Sequence, residues 1–76
     1  MKSNLSELFT ILKQSFPIEN FDAIKEDTLF YKIPLDSMDI AAFILEVEEY
    51  YNVKIANKDF NSLDTLRKLC DYINKL

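Results

Sequence analysis

Apolar residues recur at three- and four-residue spacing in three separate segments of this chain. No segment makes a strand candidate of any strength, so the chain is confined to packed amphipathic helices. The first segment runs from Asn4 to about Phe16 and carries Leu5, Leu8, Phe9, Leu12 and Phe16. Asn4 reads as its N-cap, Glu7 three residues later completes a capping box, and Pro17 stops the helix. The second runs from about Ser37 to Tyr51. At about 100° per residue, Ile40, Phe43, Ile44, Val47 and Tyr51 share one face, and Met38, Ala42, Leu45, Glu49 and Asn52 share the opposite one. Asp36 is its expected N-cap and Asp39 its third residue, so both carboxylates favour the helix dipole. A single helical turn capped by Asn57 follows. The last helix is expected to start near Ser62 and to bury Leu63, Leu66, Leu69, Cys70, Ile73 and Leu76.

Residues 17–35, bracketed by Pro17 and Pro34, show no sustained period. They nevertheless hold Ile18, Phe21, Ile24, Leu29, Phe30 and Ile33. An apolar connection of this length is expected to lie pinned across the bundle with a short helical turn of its own. The expectation is an all-α fold, a bundle of three main helices plus one short helix, in a single domain over residues 1–76.

What the chain lacks narrows its chemistry. It has no His and no Gly, so the commonest general base and metal ligand is missing and no Gly-rich phosphate loop can be built. A domain of 76 residues has little room for a catalytic cleft. No catalytic residue, no metal ligand set and no enzymatic activity are expected. Cys70 cannot form an internal disulfide and reads as a core residue among Leu66, Leu69 and Ile73. The longest apolar run, Ile40 to Leu45, is far shorter than the ~20 residues that cross a bilayer. A cytoplasmic monomer without membrane insertion is expected.

The net charge is −4, which disfavours nucleic acid as a partner. Its distribution is uneven. Residues 33–53 hold Asp36, Asp39, Glu46, Glu48 and Glu49 and no Lys or Arg, while the rest of the chain is close to neutral. The expectation is one face aimed at basic partners, the alternative being a plain solvated helix face.

The segment Ile33-Pro34-Leu35-Asp36-Ser37-Met38-Asp39 resembles the acyl carrier protein family, whose signature is an Asp-Ser-Leu triplet opening the second helix. The resemblance covers nearly the whole chain. Leu29 and Ile33 match apolar positions before the family Ser. Val47, Glu48, Glu49 and Tyr51 match the close of the second helix. Val53, Ile55, Phe60, Leu66, Tyr72 and Ile73 match the remainder. It implies an acyl-carrier-like bundle with Ser37 as the attachment point of a 4′-phosphopantetheine arm taken from coenzyme A, and with Asp36 beside it. A Ser at the first helical position directs its hydroxyl outward, and the free amides and dipole there suit a phosphate. No base lies near Ser37 in sequence, so a separate phosphopantetheinyl transferase must modify it.

The resemblance further implies acyl or aminoacyl thioesters as cargo, with an acyl- or aminoacyl-adenylating ligase and acyltransferases as partners. Met38, Asp39, Leu45, Glu48 and Glu49 form the expected docking face, a small apolar patch rimmed by acids. The alternative is a helical interaction module without the arm, against which the intact Asp36-Ser37 pair argues. Pro34, Ile33, Ala42 and Tyr50 depart from residues common in carriers of fatty acid synthesis. Leu35-Asp36-Ser37-Met38 looks like the motif of D-alanyl carriers and other dedicated carriers. The bulky Phe43 and Tyr51, with Phe30 and Tyr50 nearby, leave less room for a long alkyl chain. A specialised carrier of an amino acid or short acyl group is expected.

Overall fold

The protein is represented by a computed structural model that describes residues 3–16, 21–33 and 35–76. Three α-helices form it: α1 (Leu5–Ser15), α2 (Ser37–Tyr51) and α3 (Leu66–Asn74). Short 3₁₀ turns at Phe21–Ala23, Phe30–Lys32 and Asn57–Ser62 connect them. No strand occurs among the described residues. Pro17, Ile18 and Pro34, read above as a helix stop and parts of the connection, lie outside the described residues.

Each helix begins where a side chain relieves its unpaired amides. Asn4 Oδ1 accepts the Glu7 amide at 2.8 Å. The expected reciprocal bond from Glu7 is replaced. Its carboxylate accepts the hydroxyls of Tyr50 and Tyr51 at 3.0 and 2.8 Å. α1 ends at Ser15, and the Phe16 amide bonds back to the Leu12 carbonyl.

α3 starts later than Ser62 suggests. Thr65 is its cap, accepting the Lys68 amide at 3.1 Å, while the Ser62 hydroxyl donates to the Asp59 carbonyl within the preceding 3₁₀ turn. Asn57 likewise is the first residue of that turn and not its cap, which falls on Ala56 without a side-chain bond.

α1 packs against both α2 and α3. The core draws Leu8, Ile11 and Leu12 from α1, Phe43, Ile44, Val47 and Tyr51 from α2, and Leu66, Leu69, Cys70 and Ile73 from α3. Ile11, absent from the expected α1 stripe, is buried, whereas Leu76 lies beyond α3 and is exposed. Cys70 is buried, as read from its neighbours, with the Ser3 hydroxyl 3.2 Å from its sulfur.

The irregular connection holds its shape through backbone bonds to the last third of the chain. The Phe30 amide donates to the Asp64 carbonyl at 2.9 Å, and the Arg67 amide, an unpaired donor of the first turn of α3, donates to the Glu26 carbonyl at 2.9 Å. The Arg67 side chain adds ion pairs to Glu26 and Asp27 at 2.9 and 2.8 Å. Ile24, Phe30, Ile33 and Leu35 thereby reach the core. Phe30 meets Phe43 edge to face, with ring centroids 5.8 Å apart and an interplanar angle of 86°. Burying each such ring contributes roughly 1.5–3 kcal/mol.

Candidate functional site at the start of the second helix

Two bonds define where α2 opens. Asp36 Oδ1 accepts the Asp39 amide at 2.9 Å, and Asp39 Oδ2 accepts the Asp36 amide at 3.4 Å. This reciprocal box makes Asp36 the cap and Ser37 the first helical residue. Just upstream, the Leu35 amide donates to the Phe30 carbonyl at 3.0 Å, and Leu35 is buried. The serine thus stands on an anchored foot.

Ser37 is exposed, and its hydroxyl makes no hydrogen bond to any described residue. The box satisfies the third amide of the helix. The Ile40 amide makes the first intrahelical bond, to the Asp36 carbonyl at 2.9 Å. The Ser37 and Met38 amides are left without partners among the described residues. They point out of the positive end of the helix, where a phosphate ester on the Ser37 oxygen would find donors. The carboxylates of Asp36 and Asp39 are committed to the box and lie beside it, so an anionic ester must project outward. The site fits a solvent-directed phosphodiester arm. Among the described residues no ionisable side chain bonds to the Ser37 hydroxyl, so none of them activates it. Among the described residues no group of three or more His, Cys, Asp or Glu side chains could hold a metal ion.

The outward face of α2 carries Met38, exposed to 80%, and Leu45, exposed to 58%. Ala42, Glu46 and Glu49 are also exposed. Glu48 behaves differently from the expected docking acid. It is half-buried, and its Oε2 accepts the Ile55 amide at 2.6 Å, pinning the chain that leaves α2. Its helical angle puts it on the flank facing residues 53–55, and the free amide there claims the carboxylate.

Tyr50 is also off the core, with 56% exposure. Its ring packs against Tyr51 at 4.9 Å and 77°. Its hydroxyl bond to Glu7 raises its pKa, with the negative charge of Glu7 adding to the effect. On the flank of α2 that faces α1, a groove of about 570 Å³ is lined by Gln14, Ser15, Phe16, Ala42, Glu46 and Tyr50, among others. Nothing in the helical period of α2 signals this groove. Glu46 and Glu49 have no ion-pair partner among the described residues.

Among the described residues no helix is long and apolar enough to cross a membrane. The family model described as phosphopantetheine attachment site matches residues 6–73. Over 39 residues the chain is 41% identical to the acyl carrier protein of Buchnera aphidicola subsp. Schizaphis graminum (strain Sg). That alignment takes in 51% of this chain and 49% of the relative, so it spans about half of each.

Proposed function

Because this chain belongs to the phosphopantetheine-attachment family, whose members are carriers bearing covalently attached 4′-phosphopantetheine, we propose that Ser37 is its attachment point and that residues 1–76 form one carrier domain. The observation that carries this reading is the exposed Ser37 at the first position of α2, beside two amides without partners among the described residues and the Asp36–Asp39 box. The bound arm supplies a terminal thiol that holds cargo as a thioester. The protein's own contribution is presentation. The capping box orients Ser37, the anchored Leu35 foot keeps it outside the core, and the outward face of α2 receives partners.

The partners are a phosphopantetheinyl transferase, an adenylating ligase and acyltransferases. Met38 and Leu45 offer them limited apolar area, which keeps release fast. Asp39 and Glu49 supply charge for steering. The Leu35-Asp36-Ser37-Met38 motif and the departures at Ala42 and Tyr50 support a dedicated carrier of an amino acid or short acyl group outside bulk fatty acid synthesis. The protein performs no chemistry of its own in this scheme and works in the cytoplasm.

Incubation with coenzyme A, Mg²⁺ and a broad-specificity phosphopantetheinyl transferase, followed by intact mass measurement, tests the reading. One phosphopantetheine is expected on the wild type and none on Ser37→Ala. Equal loading of both would refute the site, and no loading of either would favour an unmodified interaction module.

A further inference from the structure

A thioester-linked alkyl chain in water gains by burying its methylenes, and the nearest large apolar volume to Ser37 is the core behind it. Phe30 of the connecting segment and Phe43 of α2 meet in that core, at 5.8 Å and close to perpendicular, and neither has any exposed surface. Phe43 is six residues beyond Ser37 on α2, about 9 Å along the axis.

Phe30 is held harder than an ordinary loop residue. Its amide donates to the Asp64 carbonyl, and its carbonyl accepts both the Ile33 and the Leu35 amides, at 2.9, 3.0 and 3.0 Å. Displacing its ring by moving the backbone would break bonds to α3's approach and to the foot of Ser37 together. Ile33, Leu35, Ile44 and Leu66 belong to the same core, each exposed to 8% or less. Packed interiors leave no volume for an added chain without expelling a side chain.

We propose that the Phe30–Phe43 pair is a plug that closes the bundle to alkyl chains, so that the group carried on Ser37 stays outside in water. The pair is then a specificity determinant. It favours cargo that loses nothing by remaining hydrated, a short acyl or an aminoacyl group, over long alkyl chains. This rests on Ser37 as the attachment point, and the test separates the two.

Acetyl, butyryl and octanoyl groups are loaded from the corresponding acyl-coenzyme A by a promiscuous transferase, loading is verified by intact mass, and thermal midpoints are compared. Each sheltered methylene in a domain of this size would raise the midpoint by roughly 3–6 °C. The wild-type midpoints are expected to agree within about 3 °C across the series, whereas in Phe43→Ala the octanoyl form is expected to exceed the acetyl form by about 10 °C or more. Phe43→Leu, which removes less volume, keeps the comparison available if the alanine variant does not fold, and its gain is expected to be smaller but positive. A second readout needs no arm. Benzene, which enters dry engineered cavities, is expected to bind unmodified Phe43→Ala or Phe43→Leu and not the unmodified wild type in ligand-observed NMR. Strong octanoyl stabilisation of the wild type, or benzene binding to it, overturns the plug. So does a folded variant that gains neither property. Failure of every acyl group to load speaks against Ser37 and leaves the benzene comparison to decide the plug.

Discussion

The Tyr51 hydroxyl donates to a Glu7 carboxylate oxygen at 2.8 Å, joining the first turn of α1 to the last residue of α2. Burial, and then this bond, push the Tyr51 pKa well above its ordinary 10.0. Glu7→Leu removes the acceptor of two tyrosine hydroxyls and is expected to cost about 2 kcal/mol in urea unfolding, hydrogen bonds to a charged group being worth roughly 1.5–3 kcal/mol.

The same latch has a pH signature. Unfolded Tyr51 ionises near pH 10, while folded Tyr51 stays protonated beyond it. Its contribution to stability is therefore complete below pH 10 and is lost as pH rises through the alkaline range. The thermal midpoint should fall with increasing pH above 10, and the fall should be shallower in Tyr51→Phe. An identical slope in the two proteins would show that the tyrosine ionises equally in both states.

Glu48 and Glu49 are neighbours in different settings, Glu48 accepting the Ile55 amide and Glu49 exposed. Glu48→Ala leaves the Ile55 amide without its acceptor and is expected to cost about 1–3 kcal/mol. Glu49→Lys is expected to leave stability within about 0.5 kcal/mol while slowing transferase modification and weakening its dependence on salt, because exposed charges steer encounter and are screened beyond ~8–10 Å. Parallel urea titrations and modification rates across a salt series check both.

Asp36 acts as a cap through an oxygen that asparagine also offers. Asp36→Ala is expected to cost about 1 kcal/mol and Asp36→Asn much less. Amide hydrogen exchange in the first turn of α2 should rise in the alanine variant only.

The Arg67 ion pairs are about half exposed, so Arg67→Ala is expected to cost less than about 1 kcal/mol, and less still at high salt. Thr65→Ala removes the cap of α3 and is expected to cost about 1 kcal/mol at any salt concentration. Urea midpoints at two ionic strengths distinguish them.

Elements whose determinants are local could be read from the residues. The bounds of α2 were legible because Asp36 is a good N-cap and the apolar period runs on to Tyr51, and Ser37 of the motif is its first residue. Its buried face matched the helical period, with Ile40 only partly buried. The start of α3 could not be read in the same way. Ser62 and Thr65 are both good caps, and Thr65 wins because the Arg67 amide and side chain engage Glu26, 41 residues earlier. Glu7 matched a capping box, but the competing hydroxyls came from the far end of α2. Glu48 looked like a docking acid because periodicity assigns a face and not a hydrogen-bond partner. Each departure is a tertiary contact that overrode a valid local preference.

Asn52 closes α2 in the left-handed conformation, at φ 55° and ψ 49°, the one positive-φ residue among those described. In a chain without glycine, asparagine is the residue that tolerates this geometry best. With the Asp36 box at one end and Asn52 at the other, α2 can neither gain nor lose a residue. Its 15 residues act as a ruler about 22 Å long, holding Ser37 at a set reach and rotation from the Glu7–Tyr51 latch. A partner that grips the latch end of α2 would find the serine always at the same distance, and an insertion within α2 should disturb folding as well as that reach, because each added residue turns the buried face by about 100°.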